Sequence, residues 1–474
     1  MQKYVKHKNK VISEKTIEEK SIKLIKSYFM DSKQDFTKGS IFSKLVAFML
    51  PILFALVLQS LYGAVDMLIV GRFGTTAGLS GVSTGGNVMN LFTMLLNNIT
   101  IGVTVLMGQY IGAKRYEKVN KLISNAVAFF LVLSLLLTVF IVIFARPLAI
   151  AMQTPSEAID LTVQYIRICG AGFIFITFYN FISAMLRGVG DSSTPLLFVA
   201  IASIVNVIGD LILVAGLKMN VAGAAIATVA AQAVSVFLSL WIIRKKKMSF
   251  GFRKEHFRFG SEVPHFVKLG LPLTIQGFLT NFSFLALCAF VNRLGLEASS
   301  GYGVAQKIQL FVMLIPSALM QSMAPFVSQN VGAGNEKRAR SGMLCGQGIG
   351  AGIGLFVMIG TFFFGDYISR LFTEDEAVIA RSFEFLRGFS PEAIVTCILF
   401  SYLGYFNGHS KSLFVMVQGL MQTFLIRLPL SYIMSIQPNA SLTGVGIAAP
   451  TATVFGIILC FCYYKYLGRS LERK

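Results

Sequence analysis

The sequence predicts an all-α polytopic membrane protein with twelve transmembrane helices, arranged as two six-helix lobes related by a pseudo-twofold axis. Three observations carry that prediction. First, 55% of the 474 residues are hydrophobic and only 14% are charged, too apolar for a conventional solvated surface. Second, Gly, Pro and charged clusters cut the chain into about twelve apolar stretches, each near the roughly 20 residues a helix needs to cross a bilayer. Helices are expected because only they satisfy their own backbone in lipid while remaining separate segments. Third, the halves repeat. Leu50-Pro51 returns as Leu271-Pro272, and Val70-Gly71-Arg72-Phe73-Gly74 returns 221 residues later as Val291-Asn292-Arg293-Leu294-Gly295. At an offset of 220, Gln109-Tyr110-Ile111-Gly112-Ala113 is matched by Gln329-Asn330-Val331-Gly332-Ala333, Tyr165-Ile166-Arg167 by Phe385-Leu386-Arg387, and Gly188 by Gly408. A near-constant offset at separate places marks a duplication. Six is even, so both halves enter the membrane in the same sense, with the axis along the membrane normal and a path between the lobes.

In chain order, residues 1–40 read as a basic arm: Lys15, Glu18, Glu19, Lys20, Lys23 and Lys26 mix charges without an apolar core or a small-residue cleavage site. Spans are expected near 43–70, 79–111, 121–144, 161–186, 194–216 and 221–243, then 266–292, 301–331, 342–364, 383–407, 412–436 and 443–466. These divide into an N-terminal lobe (41–243) and a C-terminal lobe (264–474), joined by the polar linker 244–263. Basic residues gather in the arm, at Lys114 to Lys121, at Arg244 to Arg258, at Lys337, Arg338 and Arg340, and at Lys465, Arg469 and Lys474. The alternate loops are short or acidic, so the positive-inside rule places both termini in the cytoplasm. The net charge of +20 therefore faces lipid headgroups. No aromatic-interleaved basic stripe for nucleic acid is present.

Six cysteines, all in apolar helices without metal spacing, read as small core residues. His7, His256, His265 and His409 form no HExxH and are expected at the surface or in loops. No Walker A sequence exists, so ATP is not the expected energy source, and no other cofactor motif appears.

Two acids stand out. Asp66 lies six residues before Arg72 and Asp210 eight before Lys218, which puts them at similar depth in the first and fifth spans. A mid-helix carboxylate in lipid costs about 2.5–3.5 kcal/mol on insertion scales, so it persists where it faces an interior and binds something. Asn206 is one turn from Asp210, and Gln59 and Tyr62 share a face with Asp66. Thr228, eight residues into the sixth span, reaches the same level. Carboxylates, an amide and hydroxyls together suit a proton or a sodium ion. The second half lacks the constellation: Leu285, Ala286 and Leu287 stand where Asp66 would repeat, and Arg427 aligns near Asn206. Glu392, beside Pro391, is the remaining intramembrane acid, and Arg427 is expected to pair with it or to face a cavity.

Leu61-Tyr62-Gly63-Ala64-Val65-Asp66, Val70-Gly71-Arg72, Gln109 to Ala113, Leu186-Arg187-Gly188-Val189-Gly190-Asp191 and Val221 to Thr228 together make residues 40 to 466 resemble the multidrug and toxic compound extrusion (MATE) family. The resemblance implies a two-lobed antiporter, working as a monomer in a bacterial plasma membrane, that expels organic cations and other drugs in exchange for protons or sodium. In the branch with its ion site in the N-terminal lobe, acids on helices one and five, an Asn and a Thr bind the coupling ion. Asp66, Asp210, Asn206 and Thr228 match those places. Gln59, Tyr62, Glu392 and Arg427 remain as substrate or cavity residues, and no metal is implied beyond a sodium at the ion site. Another branch carries acids on helices seven and ten, and helix seven here has none. Two readings compete: a flippase of the same superfamily for a lipid-linked precursor, and an intramembrane enzyme, for which the spans offer no nucleophile with a base.

Overall fold

The computed structural model describes residues 34–246 and 250–472, with side chains to Arg469. His7, Lys15 to Lys26 and the rest of residues 1–33 lie outside the described residues, as do Lys247 and Lys474. Among the described residues, all regular structure is helical. Ten single helices and two bent pairs are long and apolar enough to cross a membrane, twelve spans if each pair counts once. They are α1 (Ile41–Phe73), α2 (Thr76–Gly112), α3 (Tyr116–Ile143), α4 (Ser156–Ala171 with Phe173–Val189), α5 (Ser193–Gly216) and α6 (Asn220–Lys245). Then follow α7 (Glu262–Asn292), α8 (Leu296–Gly332), α9 (Glu336–Arg370), α10 (Glu376–Phe389 with Glu392–Gly408), α11 (Ser412–Ser435) and α12 (Leu442–Arg469). The protein is a multi-pass membrane protein, and large apolar side chains such as Leu68, Phe282 and Phe356 are exposed along its spans.

Local chemistry starts several of these helices. Thr75 Oγ1 accepts from Gly78 N at 3.0 Å ahead of α2, and Asp375 Oδ1 accepts from Ala377 N at 2.9 Å ahead of α10. Each satisfies an N–H group that the first turn leaves free. The continuous helices expected at 161–186 and 383–407 are instead bent, by 52° in α4 and 46° in α10. In α4 the bend falls at Gly172, where the missing Cβ lets Val229 of α6 press in. In α10 it falls at Ser390-Pro391, where proline has no N–H for the helical ladder.

The helices of the two halves keep the same company. In the first, α1 packs on α5, α2 on α4, and α4 and α5 on α6; in the second, α7 packs on α11, α8 on α10, and α10 and α11 on α12. Backbone conformation repeats as well. Lys114 (φ 56°) and Gly334 (φ 72°), and Gly190 (φ 94°) and Ser410 (φ 59°), are left-handed pairs 220 residues apart.

The halves meet along α2, which packs on α7 and α8, and where α1 crosses α8. Their hydrogen bonds concentrate at the face carrying Lys114 and Lys337, hereafter the basic face. Gln109 Nε2 donates to Gly408 O at 2.9 Å, and its repeat mate Gln329 Nε2 donates to Gly188 O at 3.0 Å. A Cβ on Gly112 would collide with the Gln329 carbonyl, and one on Gly332 with the Gln109 carbonyl. Glycine here permits backbone-to-backbone approach across the interface. Residues 34–38 strap this seam. Gln34 N donates to Gly190 O at 3.0 Å, Phe36 N to Gln329 Oε1 at 3.3 Å, and Arg338 Nε to Phe36 O at 2.7 Å. The Phe36 ring is fully buried against Phe48 and Phe326.

Candidate functional site

Helical spacing places Gln59, Tyr62 and Asp66 on one side of α1, and packing turns that side toward α5 and α6. Small residues bring α5 and α6 together: a Cβ on Gly209 would stand 2.9 Å from the Ala227 Cβ. That approach carries Asn206 and Asp210 on α5 to Thr228 on α6. Thr228 Oγ1 lies 3.4 Å from Asp66 Oδ2 and donates to it, while Asn206 Nδ2 donates to Thr228 Oγ1 at 3.5 Å. The Asp66 and Asp210 carboxyls lie within reach of each other. Both are buried, at 4% and 0% exposure. Directly after Asp210 the helix widens into a π-helical turn, Leu211–Gly216, a feature frequent at functional sites.

The cluster is rich in acceptors and poor in donors. Asp66 Oδ1, both Asp210 oxygens and Asn206 Oδ1 are buried without a hydrogen-bond partner. Orphaned buried oxygens are costly, and two adjacent carboxylates repel in a low dielectric. A positive charge between them removes both costs. A proton or a hard, oxygen-preferring cation fits this donor set. A cavity of about 10 Å³, lined by Gln59, Tyr62, Tyr179, Asn206, Thr228 and Gln232, adjoins the cluster, and this is room for about one water-sized occupant. All four residues expected to hold an ion are thus gathered in one place, with Gln59 and Tyr62 beside them. Gln232, one turn beyond Thr228, was not singled out from sequence, although its i+4 spacing from Thr228 was the available signal.

The second half has a different polar core. Glu392 is buried, and Thr453 Oγ1 donates to its Oε1 at 2.9 Å. Gln422 Nε2 donates to Thr453 Oγ1 at 3.1 Å, and Gln418 Nε2 to Gln422 Oε1 at 2.7 Å. Arg427 forms no ion pair with Glu392 among the described residues. Its guanidinium lies over the Phe284 ring at 4.1 Å, a cation–π contact, and Glu392 acts on it from beyond ion-pair distance. It does not line the central cavity either. His409, expected at the surface or in a loop, is in a turn, and its side chain is only 5% exposed, held 2.9 Å from Glu336 Oε2.

Between the halves lies a cavity of about 200 Å³. Gln59 and Tyr179 line both this cavity and the small one, and Gln59 Nε2 donates to Tyr179 OH at 3.4 Å. Sequence reading missed the amides of this wall, Asn97, Asn98, Asn180, Gln321 and Asn407, which no single helix pattern marks.

The profile of the family described as MatE matches residues 51–212 and 272–433. Among curated proteins, the chain is 26% identical to the "Probable multidrug resistance protein YoeA" of Bacillus subtilis (strain 168), over 92% of this chain and 96% of that one. It is 23% identical to the "Multidrug export protein MepA" of Staphylococcus aureus (strain N315), over 84% of this chain and 88% of that one. Among solved structures, one titled "Outward-facing conformation of a multidrug resistance MATE family transporter of the MOP superfamily" superposes with a TM-score of 0.86 at 20% identity, covering 93% of this chain and 98% of that chain.

Proposed function

This chain belongs to the MatE family, and on that premise we propose that it is a secondary active efflux antiporter of a bacterial plasma membrane, exporting drugs, organic cations among them, in exchange for protons or sodium. The observation that carries the reading is the set of partnerless buried oxygens on Asp66, Asp210 and Asn206. They form a seat for a cation, one residue layer from a cavity large enough for part of a drug. The names of the multidrug relatives support the cargo class.

The basic face lies in the cytoplasm by the positive-inside rule, with 41–243 and 264–474 as the lobes, 244–263 as their linker and the monomer as the working unit. Closure at the basic face then makes the described state outward-facing. The coupling ion enters from outside and binds at Asp66, Asp210, Asn206 and Thr228. Asp66, Tyr62 and Gln59 share α1, and Pro51 inside that helix removes one ladder hydrogen bond and provides a place to bend. Ion binding that repacks α1 alters the Gln59–Tyr179 wall of the cargo cavity. Such competition through one bistable element is what coupling requires. The driving force suffices: one charge moved through about 100 mV releases about 2.3 kcal/mol.

Reconstituted protein carrying ethidium answers the question. Export driven by an imposed pH gradient assigns the proton, and export driven by a sodium gradient assigns sodium. Retention of ethidium, and of norfloxacin loaded in the same way, under both gradients contradicts the reading.

A further inference from the structure

Arg187, near the end of α4, is a charge without a counter-charge. It lines the central cavity, and the titratable group that acts on it is the Tyr179 phenol. No carboxylate bonds it among the described residues. The acid nearest in sequence, Asp191, is taken: Lys246 Nζ sits 2.5 Å from Asp191 Oδ2, and Thr194 Oγ1 donates to the same oxygen at 2.7 Å. No Asp or Glu is among the described residues lining the cavity, where Arg187 is the single charged side chain among them.

The rest of the wall suits the same ligand. Ser192 and Pro195, at the start of α5, line the cavity, and the Ser192 side chain makes no cap bond there. Asp191 Oδ1 accepts from Thr194 N at 3.0 Å, so a carboxylate already caps the first turn of α5 and the guanidinium is the positive partner left for a ligand. Ser183 Oγ, also on the wall, is buried and partnerless, and its hydroxyl can donate to an oxyanion. A planar guanidinium matches an oxyanion with paired, charge-assisted hydrogen bonds. Ile52, Leu56 and Met320 supply an apolar side.

We propose that the central cavity recognises cargo through an oxyanion, a carboxylate or phosphate on an amphipathic molecule, docked on Arg187. The proposal rests on the efflux reading and narrows its cargo: drugs bearing an acidic group, zwitterions included, bind here better than purely cationic ones. The carboxylate of a drug and the phosphate of a lipid headgroup share this chemistry.

The test is equilibrium binding to the purified full-length protein in nanodiscs of phosphatidylcholine, using norfloxacin, its ethyl ester and ethidium. The wild type should bind the acid about 10- to 100-fold more tightly than the ester, and Arg187→Gln should bring that ratio close to unity, while Arg187→Lys retains part of it. If acid binding is weaker in phosphatidylglycerol than in phosphatidylcholine nanodiscs and that lipid-dependent difference disappears in Arg187→Gln, an anionic lipid headgroup competes for the same seat. Equal wild-type affinities for acid and ester overturn the proposal without recourse to any variant, as does a preference that survives Arg187→Gln in well-folded protein. Acid-selective binding without gradient-driven export would leave this site standing and sink the antiport reading. Export of ethidium without acid selectivity would do the reverse.

Discussion

The first and second halves of this molecule have the same helix neighbours, and Gly190 and Ser410 even turn in the same left-handed conformation, yet their polar interiors differ in kind. In the first, two acids lie together, and three of their four carboxyl oxygens, Asp66 Oδ1 and both of Asp210, lack donors. In the second, the positions 221 residues on are Leu287 and Ser431, and Glu392 at the α10 bend stands as a single carboxyl, its Oε1 accepting from Thr453 Oγ1 and its Oε2 buried without a partner. Thr453 is itself the mate of Gln232, which belongs to the ion cluster's wall. Backbone packing was therefore preserved across the duplication while a few side chains reassigned the chemistry. A helical scaffold tolerates this because its backbone bonds are internal to each span.

Substitutions separate what the halves share from what they do not. The largest effect is expected for Asp66→Asn: gradient-driven export in proteoliposomes falls to the protein-free level, while detergent stability is kept or improved because a buried charge is removed. Thr453→Ala leaves both Glu392 Oε1 and Gln422 Nε2 without their partner, and should cost about 1–3 kcal/mol in thermal or denaturant unfolding, with export per folded molecule maintained. Where the halves are alike, responses should match. Gln109→Ala and Gln329→Ala each remove two interface hydrogen bonds, worth about 1 kcal/mol apiece. Both should raise labelling of a cysteine introduced at the basic-face seam to a similar degree, and strongly unequal labelling would count against the shared seam. The smallest changes belong to the turns. Lys114→Gly should stabilise by about 1 kcal/mol by relieving left-handed strain, whereas Ser410→Gly should change stability little, since it also removes the hydroxyl that accepts from Gln109 Nε2. Gly334→Ala and Gly190→Ala should destabilise, Gly190→Ala the more, since its new Cβ meets the Gln34 carbonyl.

Much of the fold was legible because lipid imposes long apolar runs and the repeat supplied its own register. The ion cluster was legible for a related reason: a carboxylate at mid-helix has few explanations, so Asp66 and Asp210 announced themselves, and helical spacing added Asn206, Tyr62 and Gln59. The cavity wall was not. Asn97, Asn180, Gln321 and Asn407 come from four different spans across the interface between the halves, and a lone amide in a helix looks the same whether it bonds a neighbour or lines a void. Arg187 sits two residues from the end of its helix, where a basic residue ordinarily reads as a flanking charge. The α4 bend was hidden because Gly172 breaks nothing by itself, and it needed Val229 from another helix.

The central claim is that the coupling cation is held in the first half and competes there with cargo. Its most direct test is cation release when drug is added to purified protein, followed with a pH dye in weak buffer and with a sodium electrode. The account predicts release from the wild type and from Glu392→Gln, and none from Asp210→Asn. Release that persists in Asp210→Asn and vanishes in Glu392→Gln would place the ion in the other half and contradict it.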